Sequence, residues 1–297
     1  MRLQFAVVLT LYVACVPVLL SAETPADWSK QHVDQLLDVY KDFHSNPELS
    51  FREERTSAKL AEALKSLGIE VTTGVGQMGV VGLLKNGDGP VIMIRTDLDA
   101  LPVVEATGLP FASKVIAKDP KGNDVGVMHA CGHDGHTAML LGAAKHLAKH
   151  RDFNGTVYLI FQPGEEGGGG ALEMMKDGLF ERFPMDAVFG MHNWPDYPAG
   201  TFGIREGPVM ASSNVFKIRI TGRGSHAALP HHGIDPVPVA CQIVQAFQTI
   251  VTRNLNPTDN AVISVTMIQA GEATNVIPDF AEIQGTVRTF TVDVLDL

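Results

Sequence analysis

Short apolar runs alternate with helix-period segments along the first two thirds of this chain, and that alternation constrains its fold more than any other feature. Over residues 28–43 the apolar side chains Trp28, Val33, Leu36, Leu37, Tyr40 and Phe43 recur at three- and four-residue intervals, and residues 56–67 repeat the pattern. Both segments are expected to be amphipathic helices. Runs at 79–84, 91–95, 156–161 and 187–191 read as strands, and 139–150 and 172–179 as further helices, the second ended by Gly178. Strands and helices in alternation specify an α/β fold, a mostly parallel sheet with covering helices. Around Gly207-Pro208 the pattern changes to a strand at 214–221, a helix at 236–253 and strands at 261–270 and 281–290. A β-α-β-β unit with an antiparallel sheet is expected there, so residues 23–208 and 209–297 read as two domains.

With 45% hydrophobic residues, the 297-residue chain can bury a large core. Its 33 acidic against 23 basic side chains give a net charge of -10, which argues against nucleic acid or an anionic membrane as partner and for a small molecule. Arg2, the apolar run 5–20 and the small pair Ser21-Ala22 have the layout of a secretory signal peptide covering residues 1–22, so a secreted or periplasmic location is expected. A membrane anchor is the competing reading, but the run falls short of the roughly 20 apolar residues that span a bilayer. Cys131 and Cys241 then remain, too few for a disulfide scaffold. Cys241 lies in the apolar stretch 237–251 and reads as a buried, inert thiol.

The chemistry gathers where strands are expected to end. The run 91–95 leads into Thr96-Asp97-Leu98-Asp99, 156–161 into Gln162-Pro163-Gly164-Glu165-Glu166, and 187–191 into His192-Asn193. A fourth cluster, His129-Ala130-Cys131-Gly132-His133-Asp134-Gly135-His136, stands just before a helix. Ligands of open α/β sheets collect at the carboxyl ends of strands. Thiolate, imidazole and carboxylate together are the donor set of zinc and related ions, and Cys131, His133, Glu166 and His192 supply all three. Shared between two ions, four donors leave positions open for water and substrate. One carboxylate of the Glu165-Glu166 pair can then bind metal while its neighbour takes a proton, provided that the glycines at 164 and 167–170 turn the backbone.

These motifs resemble those of the M20 metallopeptidases. Residues 95–102 (Arg-Thr-Asp-Leu-Asp-Ala-Leu-Pro), 129–137 with Cys131, 161–166 and 190–192 resemble the family's successive signatures, and the cysteine block resembles the branch of hippurate hydrolase, N-acetyl-diaminopimelate deacetylase and plant auxin-conjugate hydrolases. The resemblance runs from about Val33 to Phe290. It implies Cys131, His133, Glu166 and His192 as ligands of two divalent ions, with zinc or manganese first and cobalt or nickel also suited, and Cys131 placed to bridge them. It implies Glu165 as general base, and Asp97 or Asp99 as the carboxylate that orients a ligand or the base. It implies a lid and dimerisation domain in which His226 stabilises an oxyanion while Asn275 or Arg288 holds a substrate carboxylate. The implied reaction is amide hydrolysis of small N-acyl amino acids or peptides by a homodimer. The family places one more ligating histidine beyond the lid, and this sequence, ending at Leu297, carries no counterpart to it, so a C-terminally shortened catalytic domain is expected. Two other readings stand beside this one: a hydrolase with Cys131 as nucleophile, and a noncatalytic metal-binding or scaffold product.

Overall fold

A computed structural model describes residues 23–297; the expected signal peptide lies outside the described residues. Backbone contacts divide the chain into two compact units, which meet between Pro195 and Asp196. Among the described residues, no helix is long and apolar enough to cross a membrane.

The first unit runs α1 (Pro25–Ser45), α2 (Glu54–Ser66), β1 (Glu70–Val75), β2 (Gly79–Asn86), β3 (Val91–Asp97), β4 (Ile116–Lys118), β5 (Asp124–Gly126), α3 (His133–His150), β6 (Gly155–Gln162), α4 (Gly170–Lys176), α5 (Leu179–Arg182) and β7 (Ala187–Gly190). Helix α1 starts where the Thr24 hydroxyl accepts the Asp27 N–H at 3.1 Å with Pro25 in the first turn, as local chain chemistry favours. The main sheet has the order β1-β2-β6-β3-β7. β3 pairs in parallel with β6 and with β7, while β2 runs antiparallel to β1 and β6. Four of the five strands therefore point one way, and the expected mostly parallel sheet is what forms.

Alternation along the strands sorts side chains onto two faces. Val157, Leu159 and Phe161 of β6 join Val80 and Leu84 of β2 beneath Phe43, Leu60, Leu64, Leu140 and Leu141 of α1, α2 and α3. Ile160 of β6 and Val81 of β2 point the other way, onto Met174 and Leu179 of α4 and α5. The consequence for function is directional: β3, β6 and β7 all end on one edge, and α3 begins there.

The second unit contains β8 (Asn214–Thr221), β9 (Ser225–His226), α6 (Pro236–Thr249), β10 (Ala261–Ala270), β11 (Val276–Ile277), β12 (Phe280–Thr289) and α7 (Val292–Leu295). Antiparallel β10-β12-β8 carries α6 on a small core of Ala240, Ala281 and Ile283, as the β-α-β-β pattern requires. β9 and β11 form a separate two-stranded ribbon.

Several expectations change in detail. Helix α3 starts at His133, inside the histidine cluster, and the expected 172–179 helix is two helices, because Gly178 is left-handed (φ 81°) and ends one before Leu179 starts the next. The expected 236–253 helix ends at Thr249 and continues as a single wide turn over Ile250–Asn254. Cys241 is exposed, since it lies off the face of α6 on which Ala240, Ile243 and Val244 pack against the sheet. Strand β1 and the β4-β5 hairpin carry no apolar run long enough to announce them.

Leu64, fully buried between α2 and the sheet, tests this core: Leu64→Ala should lower the unfolding free energy by about 2–5 kcal/mol in urea denaturation. A loss below about 0.5 kcal/mol would contradict the packing described.

Candidate metal centre

The site sits where β3, β6 and β7 end and α3 begins. Gly132 precedes α3 with φ 84°, and a Cβ there would meet the Asn193 side chain at 2.6 Å. Glycine thus lets the 131–133 segment approach the 192–193 segment closely. Cys131 Sγ consequently lies 3.4 Å from His192 Nε2. His192 donates through Nδ1 to the Asn193 carbonyl at 2.7 Å, which leaves Nε2 as a free lone pair facing the thiol.

Asp99, fully buried, fixes the next donor. His133 Nδ1–H donates to the Asp99 carbonyl at 2.8 Å and stands 3.3 Å from its Oδ1. His133 Nε2 therefore points the other way, to within 3.9 Å of Glu166 Oε1 and 3.7 Å of Asp97 Oδ2. Both His133 Nε2 and Glu166 Oε1 are buried without a hydrogen-bond partner, as is Asp99 Oδ1. Buried polar atoms in native proteins are nearly always partnered. A divalent cation fits this position: a neutral imidazole nitrogen, a carboxylate oxygen and a thiol sulfur from Cys131, His133 and Glu166 all lie within 4.8 Å of one another. A second such group joins Asp97, His133, His136 and His192.

The structure distinguishes the two aspartates. Asp99 orients His133 and accepts the Glu166 N–H at 2.9 Å and the Ser50 hydroxyl at 2.6 Å. Asp97 is occupied elsewhere, by Arg95 at 2.9 Å and by His136 Nδ1–H at 2.7 Å. His136 Nε2 in turn accepts the Asn193 N–H at 3.0 Å, so both of its ring nitrogens are engaged by protein and it braces the cluster. Nothing in the sequence marks His136 and Ser50 as supports, because each acts through a partner far along the chain, and Arg95, although two residues from Asp97, is itself held by the distant Gln162.

Electrostatics favour a bound cation. Burial alone would raise Asp97, but the His136 hydrogen bond and the charges of His133 and Arg95 hold it well below the usual carboxylate range. Burial also acts against a charged His133, yet the hydrogen bond to Asp99 and the charges of Asp97, Asp99 and Glu166 raise it above an ordinary histidine. Partial desolvation, then the neighbouring Glu166, push Glu165 upward. Burial and the hydrogen bond with Glu166, reinforced by the charges of Glu166, Glu165 and Asp97, push the Cys131 thiol up to about 12. A nucleophilic cysteine needs the opposite shift, so the thiol-hydrolase reading loses its support.

Behind the centre, Asp134 turns away from it: its Oδ2 binds His44 Nδ1 at 2.6 Å, and His44 Nε2 reaches Glu105 at 3.1 Å. In the second unit, His226 and Asn275 lie together, since β9 pairs with β11 and the Ala227 N–H donates to the Asn275 carbonyl at 2.9 Å. Arg288 does not join them. It stands eight residues beyond Phe280 on β12, about 27 Å along an extended strand, and its guanidinium donates to the Asn214 and Val287 carbonyls.

Residues 93–290 match peptidase family M20/M25/M40. The chain belongs to this family. Over 260 residues it is 48% identical to an N-acetylcysteine deacetylase of Bacillus subtilis, a match that covers 86% of this chain and 65% of the relative. It is 46% identical to the hippurate hydrolase of Campylobacter jejuni, over 86% of this chain and 66% of that one. The chain thus spans about two thirds of the length of the curated relatives it matches. Among solved structures, a dinuclear metal binding peptidase of the M20 family from Bacillus subtilis superposes with a TM-score of 0.74 at 43% identity, covering 90% of this chain and 67% of that one.

The raised thiol gives this centre two tests. In metal-free protein at pH 8, site-resolved alkylation should label exposed Cys241 at least about tenfold faster than Cys131. Because metal must displace the Cys131 proton, and that of His133 where it is protonated, zinc affinity measured by competition should rise at least about tenfold per pH unit through neutrality. An affinity flat between pH 6.5 and 7.5 would contradict a thiolate ligand.

Proposed function

We propose that this chain is the metal-binding part of an amidohydrolase that cleaves the amide bond of small N-acyl amino acids. The observation that carries this reading is the pair of buried, unpartnered donors, His133 Nε2 and Glu166 Oε1, 3.9 Å apart beside a thiol. In our reading Cys131, His133, Glu166 and His192 hold two divalent ions, zinc or manganese, with His133 oriented by Asp99. Bound there, the ions supply Lewis acidity for an amide carbonyl and for the attacking water.

The protein's own groups divide the remaining work. Glu165, exposed at the mouth of the turn and not engaged by any side chain, takes the proton from water and delivers it to the leaving nitrogen. Its raised pKa suits both halves of that cycle. Asp97 stays ionised, held by Arg95 and His136, and keeps the site negative enough to retain cations. His226 accepts the Ala228 N–H at its Nδ1, so its Nε2 is available to a substrate oxyanion, and Asn275 beside it is available to a substrate carboxylate. The geometry of Arg288 gives no support for sharing that ligand.

Acyl amino acids as substrates accord with the deacetylase and hippurate hydrolase relatives. Homodimer formation accords with the open edge of β10, where Val262, Met267 and Ile268 are exposed. Export rests on the apolar segment 5–20 alone.

Glu165→Gln should abolish turnover while metal content stays within about a fifth of the parent value; unchanged turnover would overturn the assignment of the base. A chelator should abolish hydrolysis of N-acetyl and N-benzoyl amino acids, and zinc or manganese should restore it. Since Glu165 acts as a carboxylate, kcat should rise with pH through its raised pKa and level off above it.

A further inference from the structure

Residues 48–53, between α1 and α2, touch the carboxylate-bearing turn 163–170 at three points. Glu53, fully buried, accepts the Gly164 N–H at 2.8 Å through Oε1, while its Oε2 has no partner. The Phe51 ring lies against Gly164 and Gly168, so close that a Cβ at either glycine would meet it at 2.6–2.7 Å. The Ser50 hydroxyl lies 3.4 Å from the Glu166 carbonyl and donates to Asp99 Oδ2, the same oxygen that accepts the Glu166 N–H.

Two features show that this segment is held in place at a cost. Phe51 adopts φ 60°, a left-handed conformation that bulky L-residues rarely take. Burying a carboxyl with one oxygen unpartnered is likewise unfavourable. Strained backbone and incompletely partnered buried groups persist where the surrounding structure demands a particular geometry. Here the geometry they serve is the turn itself, whose left-handed Gly164 (φ 59°) closes onto the Gly170 N–H at 2.9 Å. Glu165 and Glu166 lie inside that closed turn and need opposite assignments.

We propose that Ser50, Phe51 and Glu53 form a clamp that positions the 164–170 turn, so that Glu166 faces the ligand cluster while Glu165 stays free beside it. Glu53 is the central positioning residue, because it alone reaches the backbone N–H of the residue where the turn begins. The catalytic part of this inference rests on the function proposed above; the structural part, that the clamp holds the turn, does not.

The experiment compares Glu53→Ala, Glu53→Gln and the milder Ser50→Ala in the full protein. Amide hydrogen exchange in the 164–170 turn should quicken at least about tenfold in Glu53→Ala relative to the β6 amides, and Glu53→Gln, whose side-chain carbonyl still accepts the Gly164 N–H, should restore protection. With an N-acetyl amino acid, kcat should fall about 10- to 100-fold in Glu53→Ala while KM and zinc content change less than about twofold. Glu53→Gln should recover most of kcat. Ser50→Ala should show a smaller loss of the same kind, and it keeps the test decisive if Glu53→Ala fails to fold. Unchanged turn exchange in the folded variants, or a Gln variant no better than Ala, would overturn the clamp. Faster turn exchange in Glu53→Ala, reversed in Glu53→Gln, together with a parent protein that hydrolyses no acyl amino acid, would uphold the clamp and defeat the functional reading instead.

Discussion

One buried residue, Asp99 just beyond β3, joins the parts of the centre through its carboxylate and its main-chain carbonyl. Its carbonyl and Oδ1 face His133 Nδ1 at 2.8 and 3.3 Å, and its Oδ2 accepts the Glu166 N–H and the Ser50 hydroxyl. Four segments therefore meet at one residue: the end of β3, the start of α3, the turn after β6 and the link between α1 and α2. Fixing His133 through Nδ1 is what aims Nε2 at Glu166, as for metal-ligating histidines whose other ring nitrogen donates to a backbone carbonyl. Asp99 can serve this role because its own charge is compensated. Burial would raise its pKa, but the adjoining His133 ring and hydrogen bonds from Ser50 and the backbone hold it below the ordinary aspartate value.

The sheet supplies the second constraint. Parallel β3, β6 and β7 must end on the same edge, so Asp97, the turn after Gln162 and His192 converge without any long-range design beyond strand direction. What converges is strongly anionic. Asp97, Asp99, Glu165 and Glu166 crowd around a thiol held protonated and a histidine held more basic than usual. In the absence of a cation this arrangement is electrostatically costly, and proton uptake by His133 offsets only part of that cost. A divalent ion resolves the crowding, which links the fold's geometry to its chemistry.

Much of this was legible in the order of residues. Polar clusters following apolar runs located the strand ends, and Cys131, His133, Glu166 and His192 stand within one small region as their residue types suggested. The extent of α3 was less legible. Gly132 in a left-handed conformation lets the helix begin at His133, and nothing in local periodicity signals that. Asp97 and Asp99 could not be separated from sequence, because the difference lies in partners at positions 95, 133, 136 and 166. The link at 48–53 was silent for the same reason: Glu53 meets Gly164 across 111 residues. Arg288 matched a motif, yet eight residues of strand separate it from the start of β12, near the His226 ribbon.

The central claim is that Cys131 binds metal as a thiolate alongside His133, Glu166 and His192. X-ray absorption at the zinc edge of the zinc-loaded protein tests it most directly. A sulfur scatterer at about 2.3 Å is expected together with nitrogen and oxygen at about 2.0–2.2 Å, with loss of the sulfur shell in Cys131→Ser. A first shell of nitrogen and oxygen alone in the unaltered protein would contradict it.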